Sequence, residues 1–171
     1  MHRKKQRLER ELNMAKEKYP LRIARIYRSS VVDGPGLRFA VYFQGCKHNC
    51  LGCHNPSTHK FDGGFEADST QIIHDIIKTK GISGVTISGG DPFFQYEHLL
   101  NLCKLIKQKT KLNIWVYTGF SQEDIFNLFS EVISHVDALV VNPFVQELKT
   151  STIPFIGSTN QKIIFTKNYV K

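Results

Sequence analysis

Three cysteines at positions 46, 50 and 53 are the residues of this chain whose type and spacing most directly suggest chemistry. The spacing of Cys46, Cys50 and Cys53 lets one short loop direct three thiolates toward a single point, and thiolates are ligands of iron–sulfur clusters and of zinc. A four-iron cluster held by three cysteines keeps one iron free to bind a substrate. The spacing therefore predicts a 4Fe-4S cluster with a chemical role beyond electron transfer.

Two other metal or redox sites would use the same cysteines. A structural zinc site would take His48 or His54 as its fourth ligand, but such sites usually combine two separated ligand pairs, and the sequence contains no second pair. A redox Cys-x-x-Cys motif would use Cys50 and Cys53 and would leave the first cysteine without a role. The remaining cysteine, Cys103, lies in a helical apolar pattern and is expected in the core.

The elements that position this loop follow from the hydrophobic pattern. Six runs rich in β-branched and aromatic residues predict strands at 21–27, 37–43, 84–88, 112–117, 138–141 and 162–165. Amphipathic segments between them predict three helices. The first begins at Asp68 or Ser69, the second spans 96–109, and the third begins at the capping residue Ser121 and continues to Ile133. This alternation predicts an α/β fold built from βαβ units with a parallel sheet.

Several loops with polar or glycine residues follow predicted strands directly. They are the cysteine loop, Ser88-Gly89-Gly90-Asp91-Pro92, Thr118-Gly119 and Asn142-Pro143. The carboxyl ends of parallel strands form the active face of α/β folds, so these loops predict one site at one edge of the sheet. The two glycines would let a ligand approach the backbone closely, while the alternative is a plain turn between strand and helix.

Together these motifs resemble the radical S-adenosylmethionine (SAM) superfamily. Cys46-x3-Cys50-x2-Cys53 is similar to its cluster signature, and the segment 88–92 is similar to its motif for the amino group of SAM. Within the superfamily, residues 31–39 and His54-Asn55-Pro56 resemble the glycyl-radical-enzyme activases. Segments 117–120 and 157–161 resemble the branch that acts on anaerobic ribonucleoside-triphosphate reductase, and the resemblance covers about residues 21–166.

The resemblance implies a short form of the radical SAM fold, a partial (β/α)6-type barrel with parallel strands, which is consistent with the chain length. It also implies a 4Fe-4S cluster and SAM as cofactors. Cys46, Cys50 and Cys53 would bind the cluster. The implied SAM contacts are Asn55, Ser88, Gly89, Gly90, Asp91 and Thr118. One electron from the reduced cluster would cleave SAM, and the 5′-deoxyadenosyl radical would take a hydrogen atom from a glycine of the reductase. An electron donor such as flavodoxin would reduce the cluster.

Two positions depart from the pattern of this family. Gly52 lies where many superfamily members carry an aromatic residue, and Val141-Asn142 lies where Asp-Gly is expected. The competing enzyme hypotheses are an activase of another glycyl radical enzyme, such as pyruvate formate-lyase, and a radical SAM enzyme with a small-molecule substrate in a closed pocket. The competing hypothesis without catalysis is a zinc-stabilised or electron-transfer module.

The composition is that of an ordinary globular protein. The chain has 171 residues, of which 41% are hydrophobic and 22% charged, and we expect one domain over residues 21–171. No apolar run approaches the roughly 20 residues that cross a bilayer, which predicts no membrane association. The charged N-terminus lacks the apolar segment of a secretory signal, so we expect a cytoplasmic protein.

Residues 1–20 are expected to form a basic extension. They hold seven Lys or Arg residues against three Glu residues, within a chain of net charge +8. This segment is interpreted as a solvated basic helix or tail, and the alternative is docking to an acidic partner or to nucleic acid. Because no aromatic residue lies between its charges, no nucleic-acid partner is expected.

Overall fold

The computed structural model describes residues 20–169, which contain one seven-stranded sheet and four helices. The strands are β1 Arg22–Ser30, β2 Arg38–Phe43, β3 Phe65–Glu66, β4 Gly84–Gly89, β5 Asn113–Tyr117, β6 Ala138–Val141 and β7 Lys162–Phe165. Their order across the sheet is β3-β1-β2-β4-β5-β6-β7. The α/β fold and all six predicted strands are confirmed, while the two-residue strand β3 was not predicted.

The prediction that all of these strands are parallel is wrong for the outer strands. β2, β4, β5 and β6 are parallel to their neighbours in this series, whereas β1 pairs antiparallel with β2, and β7 pairs antiparallel with β6. A parallel pair needs a crossover of about a dozen residues or more, usually through a helix. The connection 31–37 is too short for that, and the connection 142–161 contains only the 3-10 turn Gln146–Leu148.

Four helices pack on the sheet or on one another. They are α1 Ser69–Lys78, α2 Tyr96–Lys109, α3 Gln122–Leu128 and α4 Ser130–Ile133. The Asp68 side chain caps α1 by accepting a hydrogen bond from the backbone of Thr70. Ser121 and Asp124 form a capping box at α3, as the sequence pattern predicts. The single helix expected from Ser121 to Ile133 is interrupted at Phe129, whose φ of −133° is not helical.

The core lies mainly between the helices and one face of the sheet. Alternate strand residues such as Phe39, Val41 and Val85 join the apolar sides of the helices there, and Cys103 is fully buried among them. Ile77, an apolar residue of α1, is 48% exposed.

The opposite face of the sheet carries a smaller apolar cluster and a buried arginine. Arg38 has no exposed surface, and it donates hydrogen bonds to Thr86 Oγ1 at 2.6 Å and to the Pro35 carbonyl at 3.2 Å. Thr86 Oγ1 in turn donates to the Asp33 carbonyl at 2.6 Å. Burial lowers the pKa of Arg38 to about 10. This network holds the turn at residues 33–36 against the sheet.

The described residues set limits on two further predictions. The predicted basic extension lies outside them except for its last residue, Pro20. No helix within residues 20–169 combines the length and the apolar character that crossing a membrane requires.

Candidate metal centre

The three cysteines lie on the loop that leaves the carboxyl end of β2. Cys46, Cys50 and Cys53 are free, half-buried thiols. The base of the loop is closed by hydrogen bonds from Gly45 N to the Thr58 carbonyl at 2.7 Å and from Cys46 N to the carbonyl of His59 at 3.1 Å. Inside the loop, Cys53 N donates to the Cys50 carbonyl at 3.2 Å. The backbone thus forms a closed loop that presents three sulfurs.

Backbone groups act on all three thiols. Asn55 N donates a hydrogen bond to Cys53 Sγ at 3.4 Å, and the backbone groups of His48 and Phe144 partly offset the rise in the pKa of Cys46 and of Cys50 that burial causes. Hydrogen bonds to sulfur stabilise thiolates and tune the reduction potential of iron–sulfur clusters. Backbone groups of the cysteine loop and of Phe144 therefore favour negative charge on the three sulfurs.

The ionisation of the thiols nevertheless requires a further positive charge. Burial and the neighbouring Asp91 carboxylate raise the pKa of Cys46 to about 12, and burial raises the pKa of Cys50. Metal coordination supplies the missing charge and deprotonates a thiol outright. Three half-buried thiols on one loop thus fit the ligand set of an iron–sulfur cluster.

The site differs from that of a single metal ion. Between residues 20 and 169, no three His, Cys, Asp or Glu side chains are grouped as ligands of one ion. A four-iron cluster makes a different demand, since each thiolate binds its own iron. The two histidines considered for zinc have other neighbours: His48 Nε2 lies 2.7 Å from Asp91 Oδ2, and the His54 ring packs on Phe144 at 4.9 Å.

The Gly-Gly-Asp segment is joined to the cysteine loop through its backbone. Gly90 N donates to the Phe43 carbonyl at 2.8 Å, and Asp91 N donates to the Gly45 carbonyl at 2.9 Å. A Cβ atom on Gly89 would collide with the backbone of Phe43, and one on Gly90 would collide with the carbonyl of Gly45. The close contact of Gly89 and Gly90 with the end of β2 and with the cysteine loop is thus sufficient to require glycine at both positions, and no approach of a ligand is needed to explain it.

The Asp91 carboxylate is the centre of the hydrogen-bond network beneath the cysteine loop. Its side chain is fully buried, and Oδ1 accepts a hydrogen bond from Phe93 N at 3.0 Å. Oδ2 accepts from Thr118 Oγ1 at 2.8 Å, from Gly119 N at 2.8 Å and from His48 Nε2 at 2.7 Å. Asp91 therefore ties together the cysteine loop and the loops that follow β4 and β5.

The structure brings most of the predicted site residues to one edge of the sheet. The cysteine loop, the segment 88–91 and Thr118 adjoin one another, with Ser88 in register with Tyr42 of β2. Thr118 Oγ1 also accepts a hydrogen bond from Phe120 N at 3.1 Å, so both Asp91 and Thr118 have protein partners. Asn55 lies apart from this network, and its Oδ1 accepts a hydrogen bond from Arg25 Nη2 at 2.5 Å.

The two departures from the family pattern have local structural explanations. Gly52 has a φ of +69°, and a Cβ there would lie 2.5 Å from the side chain of Gln146. Asn142 has a φ of +80°, in the left-handed region that favours glycine and that asparagine tolerates better than most residues. Its side chain donates to the Asn160 carbonyl at 2.8 Å. Asn142 thus adopts the backbone conformation that glycine would adopt.

An open cleft of about 440 Å³ lies beside Asn55. Arg25, which reaches Asn55, lies over the ring of Tyr42 at 5.0 Å, and Tyr42 Oη donates to Asp33 Oδ1 at 2.5 Å. The remaining residues that line the cleft are Tyr27, Ser29, Ser30, Val31 and Val32. This surface connects the turn at residues 33–36 with the end of the cysteine loop.

Comparison with known proteins agrees with this site. The family model described as a 4Fe-4S single cluster domain matches residues 32–164, which include all three cysteines and the segment 88–91. The match defines a class of proteins that hold one 4Fe-4S cluster.

Comparison with individual proteins identifies the family within this class to which the chain belongs. The chain is 32% identical over 148 residues to the anaerobic ribonucleoside-triphosphate reductase-activating protein of Escherichia coli K12, covering 80% of this chain and 94% of that protein. It is 33% identical over 144 residues to the protein of that name from phage T4, covering 81% and 90%. The chain therefore belongs to the family of anaerobic ribonucleoside-triphosphate reductase-activating proteins.

A second group of relatives is less completely covered. The pyruvate formate-lyase-activating enzyme of Clostridium pasteurianum is 32% identical over 126 residues, which span 71% of this chain and 51% of that enzyme. The similarity thus extends to a pyruvate formate-lyase-activating enzyme, over a shorter common region.

Proposed function

We propose that this chain is a radical SAM activase that generates a glycyl radical on anaerobic ribonucleoside-triphosphate reductase. The observation that carries the proposal is the set of three half-buried thiols on one loop whose backbone is hydrogen-bonded to the Gly-Gly-Asp segment. The names of the similar proteins support the choice of the reductase as partner. We further propose that the sheet is a short form of the partial radical SAM barrel.

Cys46, Cys50 and Cys53 would each bind one iron of the cluster. When bound, the reduced cluster would supply the one electron needed for reductive cleavage of SAM, and hydrogen-atom abstraction from a glycine Cα of the partner would leave the glycyl radical. The side chains of this chain are needed to hold and orient the cofactors and to exclude water, and none of them has to transfer a proton.

The predicted SAM-binding residues divide into two groups. Asn55, Ser88 and the backbone of Gly89 and Gly90 are proposed to contact SAM directly, as the resemblance implies. Asp91 and Thr118 are proposed to shape the site, since their side-chain oxygens already bond to protein groups. Arg25 would position Asn55 through the hydrogen bond to its side-chain oxygen.

The partner's glycine must reach the site from the protein surface. We propose that the open cleft beside Asn55, bordered by the turn at residues 33–36, forms the entrance. Val31 and Val32 on its border are 72% and 75% exposed, so they offer apolar contact area to a docking protein.

We also propose the domain division, the cellular compartment and the electron donor of this protein. Residues 21–171 would form the single radical SAM domain, with residues 1–20 as a basic extension. The protein would act in the reducing cytoplasm, where its thiols stay available to iron, and an electron donor such as flavodoxin would reduce the cluster.

Anaerobic reconstitution followed by electron paramagnetic resonance (EPR) tests this function. We expect about four irons per chain, SAM cleavage upon reduction, and a glycyl radical signal when the reductase is added. Alanine at position 46, 50 or 53 should abolish all three results. Cys103→Ala is the matched control, because Cys103 is buried in α2, and this variant should retain its iron and its activity.

Three outcomes would contradict the proposal. A colourless protein that holds zinc would refute the cluster. SAM cleavage without a radical on the reductase would refute the partner, and a radical formed on pyruvate formate-lyase instead would identify the other activase class.

A further inference from the structure

We propose that His48 is a positioning residue that anchors the cluster-binding loop to the end of the sheet through Asp91. The inference rests on the proposed binding of the cluster by the three cysteines. His48 lies between Cys46 and Cys50, so a constraint on its side chain acts on the backbone that carries both thiols.

Three sets of contacts fix the His48 ring. Its Nε2 lies 2.7 Å from Asp91 Oδ2, and because an ionised carboxylate can only accept, Nε2 donates this hydrogen bond. The ring packs edge-on against Phe120 at 4.8 Å and at a tilt against Phe94 at 5.3 Å. A Cβ atom on Gly119 would lie 2.5 Å from His48 Cδ2, so glycine at position 119 makes room for the ring.

The acceptor of this bond is itself fixed. Asp91 is fully buried, and its carboxylate also accepts hydrogen bonds from Phe93 N, Thr118 Oγ1 and Gly119 N. These donors come from the segments that follow β4 and β5. A hydrogen bond from His48 to this carboxylate therefore joins the loop that follows β2 to the loops after the next two strands in the sheet.

This arrangement gives His48 a role that differs from that of a metal ligand. Its ring nitrogen bonds to a carboxylate instead of an iron, and its effect on the cluster passes through the loop backbone. Groups that orient the ligands of a metal site typically change metal affinity by about 10- to 100-fold when they are removed.

Two substitutions at position 48 separate the hydrogen bond from the ring packing. His48→Phe keeps an aromatic ring against Phe94 and Phe120 but removes the donor. His48→Gln removes the ring but can place an amide N–H where Nε2 lies. His54→Phe is the matched control, because His54 lies on the same loop and its ring packs on Phe144 without a contact to Asp91.

Cluster retention is the first readout. The reconstituted full-length proteins are mixed anaerobically with a chelator, and the loss of cluster absorbance is followed. We expect His48→Phe to lose its cluster about 10- to 100-fold faster than the parent protein, with an altered EPR spectrum of the reduced cluster. We expect His48→Gln to restore most of the retention, and His54→Phe to match the parent protein.

Thiol alkylation of the cluster-free proteins is the second readout, and it does not depend on iron binding. With the anchoring bond lost, Cys46 and Cys50 should react about tenfold faster in His48→Phe than in the parent. If the parent binds no iron, the proposed function fails while this readout still tests the anchor.

The inference is wrong if His48→Phe matches the parent protein in cluster retention, EPR spectrum and alkylation rate. It is also wrong if His48→Phe and His48→Gln are equally impaired, because ring packing would then account for the effect. Should His48→Phe fail to fold, Gly119→Ala is the substitute, since its Cβ displaces the ring of an intact His48. Parental retention and alkylation in Gly119→Ala would likewise overturn the inference.

Discussion

Replacing Gly90 by alanine tests why the Gly-Gly-Asp segment requires glycine. The new Cβ would collide with the Gly45 carbonyl and would lie 2.9 Å from the Thr58 carbonyl. Both are backbone atoms at the base of the cysteine loop, so neither can rotate away as a flexible side chain could. The contact can be relieved only by moving the cysteine loop away from the end of β4.

The energetic cost follows from what this movement breaks. The hydrogen bond from Asp91 N to the Gly45 carbonyl, at 2.9 Å, is lost at a net cost of about 1 kcal/mol. Overpacking in a well-packed region adds about 1–3 kcal/mol. Alanine also lowers the entropy of the unfolded chain, which offsets about 0.4–1 kcal/mol. We therefore expect Gly90→Ala to reduce the free energy of unfolding by about 1–3.6 kcal/mol.

Thermal and denaturant unfolding of the cluster-free protein measure this loss without any contribution from cofactors. For a chain of this size, about 3 kcal/mol corresponds to a Tm lower by about 6–12 °C. Gly81→Ala is the control, because nothing lies within 4 Å of its Cβ position and only its φ of +78° opposes alanine. That variant should lose about 1–2 kcal/mol and should retain its cluster.

A Gly90→Ala protein with parental stability and weakened SAM binding would refute this reasoning. Such a result would mean that the glycine serves the approach of the ligand, as the sequence motif suggests, and that the contact between the loops yields without cost.

Two further predictions concern the surface and the pH dependence. Val32→Glu should change the free energy of unfolding by less than about 0.5 kcal/mol and keep SAM cleavage, but it should reduce the glycyl radical signal on the reductase. The control Ile77→Glu, on the exposed side of α1, should leave that signal unchanged. Equal signals from both variants would place the docking surface elsewhere. Burial and the nearby Lys104 lower the pKa of His135, so the fold favours its neutral form, and stability should decline as the pH falls from about 7.5 to about 5.5. His135→Gln should reduce this decline in urea unfolding experiments, and an unchanged decline would exclude His135 as its source.

Much of the fold was predictable from local patterns. The strand positions followed from runs of β-branched and aromatic residues, and the helix at 96–109 has the predicted bounds. The orientation of β1 and β7 was not predictable from those runs, because it depends on whether the connecting segments contain a crossover helix. The interruption at Phe129 was equally hidden, since the apolar spacing continues across it.

The candidate site shows the same division. The spacing of Cys46, Cys50 and Cys53 was sufficient to predict, without a structure, that the three cysteines act together. The hydrogen bond between His48 and Asp91 joins residues 43 positions apart, so local patterns could not predict it. From the sequence alone, His48 could be interpreted only as a possible zinc ligand. The direct SAM contacts, the cluster ligands and the domain boundary at residue 21 stay predictions.

The sequence by itself determined the chemistry that the chain can support, because three thiols within eight residues can be brought to one cluster by a single compact loop. It also determined the strands and helices, since hydrophobic periodicity acts over a few residues. Only the tertiary structure decided how the thiols are held. The buried Asp91 carboxylate needs donors from three loops, and loops that follow different strands meet only when the sheet forms.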